Sequence, residues 1–224
     1  MKPLARISLG DEHLRPKEGG AADVLRAQIK AAGTARPGPE VRKREALLLL
    51  LDSSGSMGFG DEPTAWEELL TAVHALTSVS DPAICSLGAA VFTSEADMVG
   101  AFTTDFSRVE AVLEEIEPTG GTGMVEALTL AREIEWPQGT TRRVVLLSDG
   151  MPTTGSPLGA ARKLGALGVT IDTVGCGPGA DEETLRAIAA AGKGVYVHCG
   201  QVTELRAVFK RLETKARGLL GSGG

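Results

Sequence analysis

The sequence predicts an α/β fold: a doubly wound, mostly parallel sheet of six strands, with one antiparallel edge strand and helices on both faces. Three observations predict it. Strand-like apolar runs alternate with helix-length amphipathic segments along most of the 224 residues, the rhythm of parallel strands joined by helical crossovers. The first run, Ala46 to Leu51, is apolar without interruption and stops at Asp52, as a strand covered on both faces does. Aromatic residues make up only 4% of a chain that is 42% hydrophobic, so Val, Leu, Ile and Ala must fill the core, as they do in sheets sandwiched between helices.

Taken in order, residues 1–45 are rich in Ala, Gly, Pro and charge and read as a basic N-terminal extension. Within them one amphipathic segment, Ala21 to Ala32, sets Leu25, Ile29 and Ala32 on one face before a linker from Gly33 to Pro39. A domain over 46–217 follows. After the 46–51 strand, a helix is expected at Thr64–Val79, a strand at Ala83–Phe92 and a short strand at Met98–Phe102. The short strand follows its predecessor too closely for a helical crossover, so it should pair antiparallel at the sheet edge. Helices at Phe106–Glu115 and Gly123–Glu135 lead to a strand at Arg142–Ser148, and a helix at Leu158–Leu167 to a strand at Val169–Gly175. A helix at Glu182–Ala190, a strand at Val195–His198 and a closing helix at Thr203–Arg217 complete the series, and 218–224 read as a flexible Gly/Ser tail.

Charge narrows the partners. The net charge is −6, which repels phosphate backbones, so a nucleic-acid partner is not expected. Residues 1–45 carry ten Lys/Arg against six Asp/Glu, including the run Arg42-Lys43-Arg44, so the remainder is the more acidic part. No apolar run is long enough to span a bilayer, and Met1-Lys2-Pro3-Leu4 lacks the apolar stretch of a secretion signal. Three cysteines, Cys85, Cys176 and Cys199, are an odd number without C-x-x-C spacing and read as buried thiols. The expected location is therefore the reducing cytoplasm, away from membranes.

Ligands of such sheets bind beyond the carboxyl ends of the strands, where strand order reverses. Three loops there carry chemistry. In Asp52-Ser53-Ser54-Gly55-Ser56, alternation can turn one carboxylate and two hydroxyls to the same point. Gly120-Gly121-Thr122 precedes a helix, and Ser148-Asp149-Gly150 follows a buried strand. Asp52, Ser54, Ser56, Thr122 and Asp149 together offer two carboxylates and three hydroxyls, with no sulfur or imidazole. Oxygen sets of this kind favour Mg²⁺ or Mn²⁺ with waters completing the octahedron, and suit Ca²⁺, which wants more ligands, less well.

D-x-S-x-S after an apolar strand, G-G-T opening a helix and an apolar strand ending in S-D-G resemble, in this order, the von Willebrand factor type A domain family over roughly residues 46–217. The resemblance implies that Asp52, Ser54, Ser56, Thr122 and Asp149 form that family's metal-ion-dependent adhesion site (MIDAS). It implies that the serines and Thr122 ligate directly or through water, and the aspartates directly or through water-bridged bonds. A partner's Asp or Glu would then complete the metal's coordination. Mostly neutral ligands leave the ion its positive charge, which attracts such a carboxylate. Met57 and Phe59 are expected to give this contact an apolar rim. Met124 departs from the family, which often has a polar residue there. Because bacterial cytoplasmic members often work beside an AAA+ ATPase or in multi-protein assemblies, the resemblance implies a partner of that kind.

Simpler readings apply elsewhere. Asp61 and Glu62 read as solvated loop acids rather than ligands of an accessory calcium. Gly175-Cys176-Gly177-Pro178-Gly179 lacks a full G-x-G-x-x-G and reads as a turn into the helix at Glu182. His198-Cys199 has no second nitrogen or sulfur pair at zinc spacing, and Trp66 and Trp136 read as helix–sheet packing. The expected function is metal-dependent protein–protein interaction without catalysis. One alternative is a phosphoesterase-like, metal-dependent hydrolase, but no well-placed His or Lys accompanies the motifs, and Ser54 stands where haloacid-dehalogenase-type phosphotransferases carry their acid/base Asp. The other is a metal-independent scaffold.

Overall fold

Side chains of a strand point alternately to its two faces, so five consecutive leucines need cover on both. Leu47, Leu49 and Leu51 pack into one core layer and Leu48 and Leu50 into the other, all five fully or almost fully buried. They form β1 (Arg44–Asp52), near the middle of a six-stranded sheet in the order β3-β2-β1-β4-β5-β6. The computed structural model describes residues 44–199 except 151 and 154. The Ala21–Ala32 segment, the linker, the closing helix at Thr203–Arg217 and the tail lie outside the described residues.

From β1 the chain passes through one helical turn, α1 (Gly55–Gly58), and α2 (Ala65–Thr77) to β2 (Cys85–Phe92), β3 (Ala96–Thr103) and α3 (Phe106–Leu113). It then crosses by α4 (Met124–Glu133) to β4 (Thr140–Ser148), α5 (Pro157–Ala166), β5 (Val169–Gly175), α6 (Glu182–Ala191) and β6 (Lys193–His198). β1 pairs parallel with β2 and β4, β4 with β5 and β5 with β6, while β2 and β3 pair antiparallel. This is the mostly parallel sheet with an antiparallel edge that the sequence predicts. Trp66, Leu69, Val73 and Leu76 of α2 and Val109 and Leu113 of α3 cover one face. Met124 and Leu128 of α4, Leu164 of α5 and Leu185 and Ile188 of α6 cover the other.

Local chemistry starts the helices where they are needed. The Thr64 hydroxyl accepts from the Glu67 N–H while the Glu67 carboxylate accepts from the Thr64 N–H at 2.8 Å, a reciprocal cap for α2. Pro157 opens α5, where its missing N–H has no helical partner to lose, and Asp181 caps α6 through the Thr184 N–H at 3.1 Å. Four strands run further than expected: β4 starts at Thr140 and β6 at Lys193, and β1 and β3 are lengthened as well. β1 begins at Arg44, and the Glu45 carboxylate is paired at 2.7 Å with Arg143, which also holds Asp172 at 2.6 Å. β3 reaches back to Ala96 because a tight turn, with the Thr93 N–H donating to the Glu95 carbonyl at 2.8 Å, pairs Ala96 with Phe92 at once. Trp136 donates its indole N–H to the Ala131 carbonyl at 2.9 Å and stacks obliquely on Phe102, while Trp66 is buried under α2, so both serve packing.

The chain lays β2 and β3 on one side of β1, then returns to lay β4, β5 and β6 on the other. Strand order therefore reverses between β1 and β4, and a crevice opens at their carboxyl ends. Among the described residues, no helix is long and apolar enough to cross a membrane.

Close packing of α5 on α6 sets a test. A methyl on Gly165 would lie 2.6 Å from the Ala191 carbonyl oxygen, whereas one on Gly159 of the same helix meets nothing within 4 Å. Gly159→Ala is expected to stabilise by about 0.5 kcal/mol through helix propensity. Gly165→Ala should instead cost roughly 1–3 kcal/mol through overpacking. Denaturant midpoints of the two variants check the pair, and equal signs would contradict this packing.

Candidate metal centre

Asp52 is the last residue of β1, and because Leu51 pairs with Leu147, the next step sets it beside Ser148 at the end of β4, followed by Asp149. The backbone then folds over the Asp52 side chain. The Ser54 N–H donates to Asp52 Oδ1 at 2.9 Å, while Ser53 turns away, its N–H and hydroxyl both donating to the Phe92 carbonyl at 2.9 and 3.2 Å. The expected alternation is thus present: the Ser54 and Ser56 Oγ atoms lie 3.1 Å apart.

The single turn α1 accounts for one correction. Successive residues of a helical turn point about 100° apart, so Met57 does not share the direction of Ser56 and is fully buried in the layer containing Trp66 and Leu69. It cannot belong to the rim of a contact, as expected from the sequence. Phe59, just beyond the turn, is 80% exposed and remains available for one.

The second loop is fastened to the first by backbone bonds, from the Gly55 N–H to the Gly120 carbonyl at 3.0 Å and from the Thr119 N–H to the Ser53 carbonyl at 2.7 Å. Thr122 is buried, and Thr153 holds its peptide from the third loop: the Thr122 N–H donates to the Thr153 hydroxyl oxygen at 3.0 Å, and the Thr153 N–H to the Thr122 carbonyl at 3.1 Å. The third loop turns sharply at Gly150, whose φ is +78° and where a methyl group would lie 2.9 Å from the Asp181 carbonyl oxygen. Asp149 itself is buried, and its carbonyl accepts from the Asp181 N–H at 2.6 Å. The three motif loops therefore adjoin at the crevice and carry Asp52, Ser54, Ser56, Thr122 and Asp149 on their backbones.

The electrostatics of the crevice centre on Asp52. Burial pushes the Asp52 carboxyl up to about 6; hydrogen bonds from the Ser148 hydroxyl, at 2.5 Å, and from Ser54 pull it down, and the nearby Asp149 charge raises it again. A buried carboxylate next to a second one, with neutral hydroxyls around it, is a donor set that suits a small divalent cation. Among the described residues, no three of His, Cys, Asp and Glu gather as a metal cluster, so any ion held here depends on the hydroxyls.

Two participants were not singled out from the sequence. Ser148 stands inside the S-D-G motif, but only the fold shows that its hydroxyl donates to Asp52 while its oxygen accepts from the Gly150 N–H at 2.9 Å. Thr153 belongs to no motif, and only the adjacency of the loops reveals it. The remaining candidates keep their simpler roles. Asp61 and Glu62 are exposed, Gly177 turns the chain towards α6 with φ +81°, and the Cys199 sulfur faces Cys176 at 3.1 Å.

Residues 47–151 match the von Willebrand factor type A domain family. None of the curated proteins matches the chain in sequence. Among solved structures, an aerotolerance-related membrane protein from Bacteroides fragilis is similar with a TM-score of 0.68 and 22% identity, covering 78% of this chain and 99% of that one. The von Willebrand factor type A protein from Catenulispora acidiphila has a TM-score of 0.63 and 22% identity, covering 79% and 43%. The manganese-loaded TRAP protein of Plasmodium vivax has a TM-score of 0.62 and 21% identity, covering 75% and 74%. These likenesses show the fold.

The Asp52 environment yields a test of the metal-free protein. Its carboxyl holds a proton more tightly folded than unfolded, so between pH 3.8 and about 6 the folded state carries the extra proton. Stability in EDTA should therefore fall as pH rises through that window and stay low above it. Asp52→Asn removes the buried charge and keeps the acceptor for the Ser54 N–H. It should raise metal-free stability at neutral pH by roughly 1–3 kcal/mol. Urea unfolding in EDTA checks this, and a destabilised Asn variant would refute the cost assigned to burying this charge.

Proposed function

We propose that the described domain, of von Willebrand factor type A by its sequence match and its fold, is a divalent-metal-dependent protein-interaction domain. Mg²⁺ or Mn²⁺ would be held by Asp52, Ser54, Ser56, Thr122 and Asp149, and the partner would present an Asp or Glu side chain to the ion. The observation that carries this reading is the placing of buried Asp52 and Asp149 together where strand order reverses, with the Ser54 and Ser56 hydroxyls 3.1 Å apart on the adjoining turn. The manganese in the similar Plasmodium vivax structure is in keeping with it.

The metal supplies a positive point that a partner's carboxylate can meet, and this chain's residues do the rest. Ser148 and the Ser54 N–H orient Asp52, Ser53 anchors its loop to β2, and Thr153 holds the Thr122 peptide. Phe59 offers exposed apolar surface close by, so an acidic residue next to an apolar one is the partner feature that fits. Domain limits of 46–217 and a partner such as an AAA+ ATPase or another member of an assembly belong to the same proposal, as does the absence of catalysis.

Calorimetric titration of EDTA-stripped protein should give saturable Mg²⁺ and Mn²⁺ binding, weakened by more than tenfold in Asp52→Ala and in a Ser54→Ala, Ser56→Ala double variant. Metal at 100 times its Kd should stabilise the wild type by about 2.7 kcal/mol and leave Asp52→Ala unchanged. If wild type and variants respond alike, with or without a carboxylate ligand such as acetate, the proposal fails.

A further inference from the structure

β5 and β6 run parallel, with Gly175 opposite His198. One step on, Cys176 stands beside Cys199, and the Cys199 N–H donates to the Gly175 carbonyl at 2.8 Å, continuing the ladder. Paired strands lie about 4.8 Å apart, inside the Cα separation that a disulfide bridges. Both side chains enter the same core layer beneath α2, and their sulfurs are 3.1 Å apart. Joining them requires the sulfurs to approach by only about 1 Å, to a bond of about 2.05 Å. The third cysteine, Cys85, is buried at the opposite end of the sheet, at the start of β2.

We infer that Cys176 and Cys199 are a reversible dithiol–disulfide pair, oxidised by hydrogen peroxide, that latches the end of β6 to the end of β5. Either sulfur can take the first step, and in one order the reaction begins at Cys199. Its sulfur attacks one peroxide oxygen, the O–O bond breaks, and the departing hydroxide leaves as water with the thiol proton, giving a sulfenic acid. The Cys176 sulfur then displaces the sulfenic oxygen, which leaves as a second water with the Cys176 proton. The two sulfurs lose two electrons and the peroxide gains them.

The latch lies under the crevice. The Cys176 N–H donates to the Ser148 carbonyl at 3.0 Å, and the Ser148 hydroxyl donates to Asp52. The disulfide therefore fastens the last described strand to the residue that orients Asp52. Because the sulfurs are not metal donors in the proposed site, the bond forms equally in EDTA and in Mn²⁺, which separates this inference from that of metal binding.

The test is a peptide map of the full chain after peroxide treatment in EDTA, with free thiols alkylated in denaturant before digestion. The expected product has Cys85 alkylated and the Cys176 and Cys199 peptides linked, with two hydrogens fewer than the sum of the reduced pair. Its melting midpoint should lie roughly 5–10 °C above that of the reduced protein, and dithiothreitol should reverse both changes. Cys85→Ser should give the same linked pair. Three alkylatable thiols after treatment, a bond that includes Cys85, or Cys199 oxidised to sulfinic acid beside a still reduced Cys176 would each overturn the inference, and the wild-type map decides whether or not a Cys176→Ser variant folds.

Discussion

A strand that buries leucine on both faces has no polar face of its own, so a charge it carries is tolerated at its ends or where a partner neutralises it. β1 shows both cases. At its start Glu45 is held by Arg143, which also pairs with Asp172. At its finish Asp52 receives hydroxyl and amide donors and feels the charge of nearby Asp149. The same burial that drives the sheet together thus favours the protonated form of one of its carboxyls, where the loops of β1 and β4 diverge. The surroundings follow from that placement, because each neighbouring loop is tied by backbone bonds that spare the Ser54 and Ser56 hydroxyls and hold the Thr122 peptide.

The fastenings are what make the site a rigid one. Ser53 donates twice to Phe92, Gly55 and Thr119 stitch the first two loops together, and Thr153 and Asp181 secure the second and third. Donor groups held in this way need little reordering when a cation arrives, which favours affinity for small, geometrically demanding ions. The exposed Phe59 lies outside this framework.

Much of this was legible in the sequence because its period is strong. The leucine run, the alternation of strands and helices and the short link before β3 were enough for the sheet, its mostly parallel sense and its antiparallel edge. The three loops were legible because oxygen-bearing residues punctuate the ends of apolar strands. What stayed hidden depends on contacts between distant segments. Arg44 and Glu45 extend β1 by pairing with β2 and β4, and Arg143, far along the chain, supplies the counter-charge for Glu45. Met57 directly follows Gly55 and Ser56, residues common in exposed turns, and nothing local says that one helical turn will point it inwards. Ser148 and Thr153 act through the carboxylate and the peptide they touch, and no spacing rule connects them to Asp52 or Thr122. The pairing of Cys176 with Cys199 depends on a register between β5 and β6 that the sequence does not display.

The central claim is that three hydroxyls and two carboxylates, carried on three loops, hold a divalent ion open to an outside carboxylate. Crystals grown with Mn²⁺ and acetate, measured at the manganese absorption edge, test it most directly. The account predicts one anomalous peak within about 2.2 Å of the Ser54 and Ser56 Oγ atoms, with Thr122 and the two aspartates around it and acetate oxygen or water on the solvent side. A peak elsewhere, or an ion closed off by protein ligands with no position left for acetate or water, would contradict it.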